Sequence, residues 1–171
     1  MAARLCSGCD NIISSGRMCQ RCRYKRQRRS TPAPALAEGT AITLVYGPPC
    51  AGKNTHVARH SSPGDLVVDF DAIVTALGGA GDHDQPEQLR PFAFDCVDVV
   101  MRRIASGDHI VERAWVIQTA PTRAQRAPFR RGELVGLVPD KAVCVERAKR
   151  ERPTEWLGYI DNWYARYEPE D

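Results

Sequence analysis

Two groups of residues in this chain have the types and spacing to do chemistry. The first is a G-x4-GK run: Gly47, Pro48, Pro49, Cys50, Ala51, Gly52 and Lys53, followed by Asn54 and Thr55. Glycines let a backbone curl until successive N–H groups face one point, which suits the oxygens of a phosphate. A helix starting at the lysine adds its positive end, and the ammonium reaches the β- and γ-phosphates of a nucleotide. The second group is Cys6-x2-Cys9-x9-Cys19-x2-Cys22. Four thiolates so spaced fit one closed tetrahedral zinc site, which is structural because no coordination position stays open.

One position in the phosphate loop departs from the usual pattern. The residue after the lysine is normally Ser or Thr, whose hydroxyl coordinates Mg²⁺; here it is Asn54. A carboxamide oxygen can also ligate a hard cation, but it is larger and holds the ion differently. Thr55 stands one place too late to substitute. Cys50 reads as a small filler of the loop.

The elements that must position these residues follow from the apolar pattern. Ala41–Tyr46 is a continuous apolar run ahead of the loop, as expected of a strand buried on both faces. Leu66–Phe70, Ala114–Thr119 and Leu134–Val138 read as three more strands. Apolar residues from Leu89 to Ile104 recur at helical spacing with Gly107 as a stop, and Lys141–Arg150 and Thr154–Tyr167 also read as helices, parted by Pro153. Gly78–Pro86 is a loop by composition. Alternating strands and helices predict an α/β fold with a parallel sheet of about four strands.

Charge divides the chain. The first 30 residues carry eight basic side chains against one acid, net +7; the remaining 141 carry sixteen against twenty, net −4. Arg23–Arg29 alone holds five basic residues with Tyr24 among them. Such a run binds phosphate backbones by counterion release, and a tyrosine can stack on a base; a charged, solubilising hinge has the same composition. The expected organisation is a zinc ribbon with a basic tail over 1–29, a Pro- and Ala-rich linker over 30–40, and a nucleotide-binding domain over 41–171. No apolar run approaches the ~18 residues of a membrane span, and the first residues lack a signal-peptide core, so the expectation is a soluble, cytoplasmic protein with no membrane partner.

The segments LVYGPPCAGKNT, DLVVDFDAI, AWVIQTAPTRAQR and VPDKAVCVERAKRERP resemble small P-loop kinases of the polynucleotide-kinase-like and zeta-toxin-like group. They look closer still to short AAA-family ATPase-like proteins of actinobacterial phages. The resemblance implies ATP and Mg²⁺ as ligands and a bacterial host's cytoplasm as location. In such kinases an acid after the second strand orients or deprotonates the acceptor hydroxyl. Asp71 matches that place and is favoured as the base, with Asp69 supporting the metal through water. The alternative role for Asp71 is a helix N-cap. The segment around Arg147, Arg150 and Arg152 matches an arginine-bearing lid, for which Arg150 and Arg152 are chosen, and Arg123 and Arg126 stand on the same side. Gln118 replaces an acid that often ends the third strand. The cysteine segment resembles the one that opens many phage HNH endonucleases, but the four histidines form no HNH pattern, so nuclease activity is not expected.

Together these readings lead to a phosphotransferase with Lys53, Asp71, Arg150 and Arg152 in catalytic roles. Its acceptor would be a nucleic-acid 5′-hydroxyl, a nucleotide or another small molecule, with residues 4–29 recruiting nucleic acid. The alternatives are a zinc-dependent nucleic-acid adaptor with a switch-like or degenerate nucleotide site, and an ATPase serving a phage assembly.

Overall fold

A computed structural model describes residues 40–80 and 86–169, together with residues 4, 5, 7, 12, 13 and 22. Near the start, β1 (Arg4–Leu5) pairs antiparallel with β2 (Ile12–Ile13), Arg4 opposite Ile13 and Leu5 opposite Ile12. Cys6, Cys9 and Cys19 lie outside the described residues, as do the basic run 23–29 and residues 30–39 of the expected linker. Cys22 is described and buried.

From residue 41 the chain alternates between strands and helices as expected. β3 (Ala41–Tyr46), β4 (Leu66–Val68), β5 (Arg113–Gln118) and β6 (Glu133–Gly136) form one parallel sheet in the order β4-β5-β3-β6. β3 is central, with Ala41 level with Arg113 and Tyr46 level with both Gln118 and Gly136. Its residues Ile42 to Tyr46 are all buried, which explains the unbroken apolar run. Because β4 lies beyond β5 while β6 lies on the other side of β3, the connections diverge at β3. Open sheets place their binding crevice at such a point, beyond the carboxyl ends of the strands.

The helices are α1 (Lys53–His60), α2 (Phe70–Ala76), α3 (Arg90–Ser106), α4 (Arg123–Arg126), α5 (Lys141–Glu151) and α6 (Glu155–Arg166). The main core joins Ile42, Leu44, Tyr46, Val68, Val116 and Phe129 to Ile104 of α3. Val45, Val57 and Trp115 bury the other face beneath α1. The Trp163 indole donates to the Thr119 carbonyl at 2.6 Å, and the Tyr164 hydroxyl donates to the Pro139 carbonyl, so α6 is tied to the segments that leave β5 and β6.

Three boundaries differ from expectation. The second strand stops at Val68 because Asp69 caps a helix that already begins at Phe70. α3 begins at Arg90, with Pro91 in the first turn, where its missing N–H costs nothing. Between Thr122 and Arg131 the chain forms α4 and a 3-10 turn, Ala127–Arg131, where no helix was foreseen. A reciprocal cap explains its start: Thr122 Oγ1 accepts from Gln125 N–H, and Gln125 Oε1 accepts from Thr122 N–H. Residues 81–85, including His83, lie outside the described residues.

Candidate phosphate-binding site

The loop between β3 and α1 is shaped by two residues at positive φ in addition to Gly47. Gly47 sits at φ 155°, Cys50 at 62° and Gly52 at 92°. A Cβ at position 47 would lie 2.0 Å from the Leu137 carbonyl oxygen, so only glycine fits there. The approach is that close because the Leu137 N–H donates to the Tyr46 carbonyl at 2.8 Å, carrying the β3–β6 ladder one step past the strand end. Gly52 caps α1 without a side chain, and the opening N–H groups of the helix face the loop without intrahelical partners. A concave run of N–H groups at a helix start is an anion-binding arrangement.

Lys53 lies at the floor of this loop. Its side chain is buried, and Nζ donates to the carbonyls of Gly47 at 3.0 Å and Pro48 at 2.8 Å. Two of the three ammonium donors are thus used, and the third remains for a ligand. Burial pulls the Lys53 pKa down to about 8, and the charge of Asp71 is the strongest opposing influence. An incoming phosphate would supply the anion that this desolvated ammonium lacks.

The acidic residues divide their work differently from the sequence expectation. Asp69, not Asp71, caps α2: its Oδ1 accepts from the Asp71 N–H at 2.9 Å. Its Oδ2 accepts from Asn54 Nδ2 at 2.8 Å. Asp69 therefore ties the first turn of α1 to the first turn of α2. Asp71 is released from the capping role and stands in the first turn of α2, half-buried. Gln118 ends β5 level with Tyr46, so no carboxylate occupies the third strand's end.

The arginines separate into those at the loop and those away from it. Arg147 Nη1 donates to the Cys50 carbonyl at 3.1 Å. Burial pushes the Cys50 thiol up from its ordinary pKa, and the charge of Arg152 is the strongest opposing influence. The Arg152 guanidinium stacks over Trp156 with Cζ 5.4 Å from the ring centre, and its Nε is buried with no hydrogen-bond partner. Arg150 points away: it is exposed on the last turn of α5 and acts on Glu146. Arg123 is exposed on α4. Arg126 belongs to the interior, 2% exposed, donating to the carbonyls of Pro121 at 2.9 Å and Glu168 at 2.7 Å with Tyr46 beneath it. Arg147 is the contact that sequence reasoning passed over in favour of Arg150. The signal lay in the spacing: Cys144 and Ala148 face inward, which puts Arg147 beside the buried stripe and Arg150 off it.

Pro48 and Pro49 are buried, Cys50 and Ala51 are half-buried against Cys144, Ala148 and Ile160, and Thr55 is exposed on α1. The expected cofactor-binding residues 47–55 thus form one continuous loop and helix start, with Asp69, Asp71, Arg147 and Arg152 around it. Among the described residues no three His, Cys, Asp or Glu side chains gather to hold a metal ion, and no helix is long and apolar enough to cross a membrane. The sequence matches no protein-family description and no curated protein. Among solved structures the chain is similar to the tunicamycin resistance protein of Deinococcus radiodurans at 19% identity and a TM-score of 0.41, over 74% of this chain and 79% of that one.

Proposed function

We propose that this chain is a P-loop phosphotransferase that binds ATP on residues 47–55 and passes its γ-phosphoryl group to a hydroxyl. The observation that carries this reading is the buried Lys53 ammonium, held on the Gly47 and Pro48 carbonyls beneath a helix start and biased by the Asp71 charge. In the transfer, the acceptor oxygen bonds to the γ-phosphorus, the bond to the β–γ bridging oxygen breaks, and ADP leaves. Asp71 takes the hydroxyl proton, while Lys53 and Arg152 bind the charge that spreads over the phosphoryl oxygens. Arg147 holds the Cys50 carbonyl and so fixes the loop.

The donor set fits Mg²⁺. The Asn54 amide spends its N–H on Asp69, which leaves its oxygen as an acceptor, and hard cations take carboxamide and carboxylate oxygens. Asn54 directly, and Asp69 through water, would hold the ion, which when bound neutralises β- and γ-oxygens. The acceptor is a nucleic-acid 5′-hydroxyl or a nucleotide, with a zinc ribbon over residues 4–29 as the nucleic-acid module. Support for the ribbon comes from the pairing of β1 with β2, between which Cys6 and Cys9 fall in the sequence, and from the burial of Cys22.

A second reading, a nucleic-acid adaptor whose nucleotide site is a switch, is favoured by the Asn54–Asp69 bond and by Gln118. Label transfer from γ-labelled ATP to a 5′-hydroxyl oligonucleotide and a panel of nucleosides tests the first reading. Transfer to none of them, with ATP still bound, would leave the adaptor. Metal analysis of the purified full chain tests the ribbon: one zinc per chain is expected, and none would remove it.

A further inference from the structure

The proposed reaction leaves Arg126 unused, yet its contacts lead step by step to the phosphate loop. It ends α4 and is buried, with Nη1 donating to the Pro121 carbonyl at 2.9 Å and Nη2 to the Glu168 carbonyl at 2.7 Å. These bonds fix the guanidinium by its edge. Its Cζ lies over the Tyr46 ring, 5.1 Å from the centroid. The Tyr46 hydroxyl in turn abuts Gly136 of the neighbouring strand, where a Cβ would lie 2.8 Å from the hydroxyl oxygen. The ring is thus seated between a fixed cation and the backbone of β6.

Tyr46 is the last residue of β3, joined directly to Gly47. Its carbonyl accepts from the Leu137 N–H at 2.8 Å, and the Leu137 carbonyl closes on Gly47. The carbonyls of Gly47 and Pro48 carry the Lys53 ammonium. One continuous run of contacts therefore leads from Arg126 to Lys53 Nζ. Filling the space above Tyr46 does not need a charge, because burying a guanidinium costs more than burying an apolar side chain of similar size. What the guanidinium adds is direction: a planar fork tied at two carbonyls sets where the ring beneath it lies. An ammonium attracts a phosphate fully only when its donors meet the oxygens at hydrogen-bond distance and angle. We infer that Arg126 is a positioning residue of the phosphate loop: it sets Tyr46, and through Tyr46 the Gly47 and Pro48 carbonyls that aim Lys53 at the nucleotide. This rests on the reading of residues 47–55 as a nucleotide site and adds to it a residue that touches no ligand.

The test is equilibrium dialysis of the full chain with a non-hydrolysable ATP analogue, well below the melting midpoint, with near-UV circular dichroism showing that each variant is folded. Arg126→Met fills the volume without the fork and should weaken retention at least about tenfold. Arg126→Lys, which keeps the charge but not the fork, should restore part of it. Tyr46→Leu removes the ring and should reproduce the loss, whereas Tyr46→Phe should keep most of the native affinity. Should Arg126→Met not fold, the two Tyr46 variants carry the test. In Arg126→Met/Tyr46→Leu the losses should not add, because both changes break the same run of contacts. A side chain that only fills the core would lower the melting temperature and leave the affinity of the folded chain unchanged. A folded Arg126→Met chain with native affinity, additive losses in the double variant, or a Tyr46→Phe chain as weak as Tyr46→Leu overturns the inference while the nucleotide site stands. A native chain that retains no analogue overturns both.

Discussion

The two flanks of the phosphate loop are held by different physics. On the α5–α6 side, Cys50 and Ala51 pack against Cys144, Ala148 and Ile160, and the Arg147 guanidinium closes on the Cys50 carbonyl. On the β4–α2 side the ties are polar: Asn54 to Asp69, and Asp69 to the Asp71 N–H. Apolar packing places atoms by volume and yields little to pH or ionic strength. Short polar bonds between half-exposed groups place them by direction and can exchange for water. In the proposed reaction the packed flank holds the phosphates still, and the polar flank handles the proton and the metal.

Asp71→Asn probes the polar flank most directly. Loss of the base should cut transfer by roughly 10²–10⁴ with nucleotide affinity retained, as measured by label transfer beside equilibrium binding. Retained transfer would move the base elsewhere. At the junction of the flanks, Lys53→Met should remove nucleotide binding and lower transfer by roughly 10²–10³. The same change should raise the melting temperature at pH 7, because it relieves a buried ammonium. The sign follows from the depressed pKa. The folded chain gives up the Lys53 proton near pH 8 and the unfolded chain near 10.5, so the cost of burying the charge is full below pH 8 and fades as pH rises between those values. Melting curves of both proteins from pH 7 to 10 should therefore converge. Nucleotide affinity of the native chain should fall as pH rises through about 8, with the ammonium that binds it.

Smaller effects sharpen the contrast. Arg152→Ala should lower transfer by about tenfold or more through the loss of a charged contact, whereas Arg150→Ala should leave it unchanged. Equal effects would erase the distinction drawn on α5. Asn54→Ala removes one hydrogen bond and should cost about 1 kcal/mol in denaturant unfolding. It should shift the Mg²⁺ concentration needed for transfer more than it shifts kcat.

How much of this was legible depended on whether a local rule decided it. The unbroken apolar run Ala41–Tyr46, the glycines around Lys53 and the spacing of α3 are local, and each was found where its pattern put it. The division of labour between Asp69 and Asp71 was not, because either fits a helix start; what decides it is Asn54, fifteen residues earlier in the chain. Arg126 looked like one more surface charge on the lid side. Its burial depends on a ring from β3 and a carbonyl 42 residues downstream. The α4 start was readable from Thr122 and Gln125, but its brevity hid it among the turns.

That arginine also has a practical consequence. Tyr46, on which its guanidinium rests, is the residue immediately before Gly47, and the carbonyl that receives it belongs to Glu168, just past α6. The segment after α6 and the nucleotide loop are thus linked through two stacked side chains, Arg126 and Tyr46. A change in the backbone at Glu168 would therefore reach the nucleotide loop through Arg126 and the Tyr46 ring.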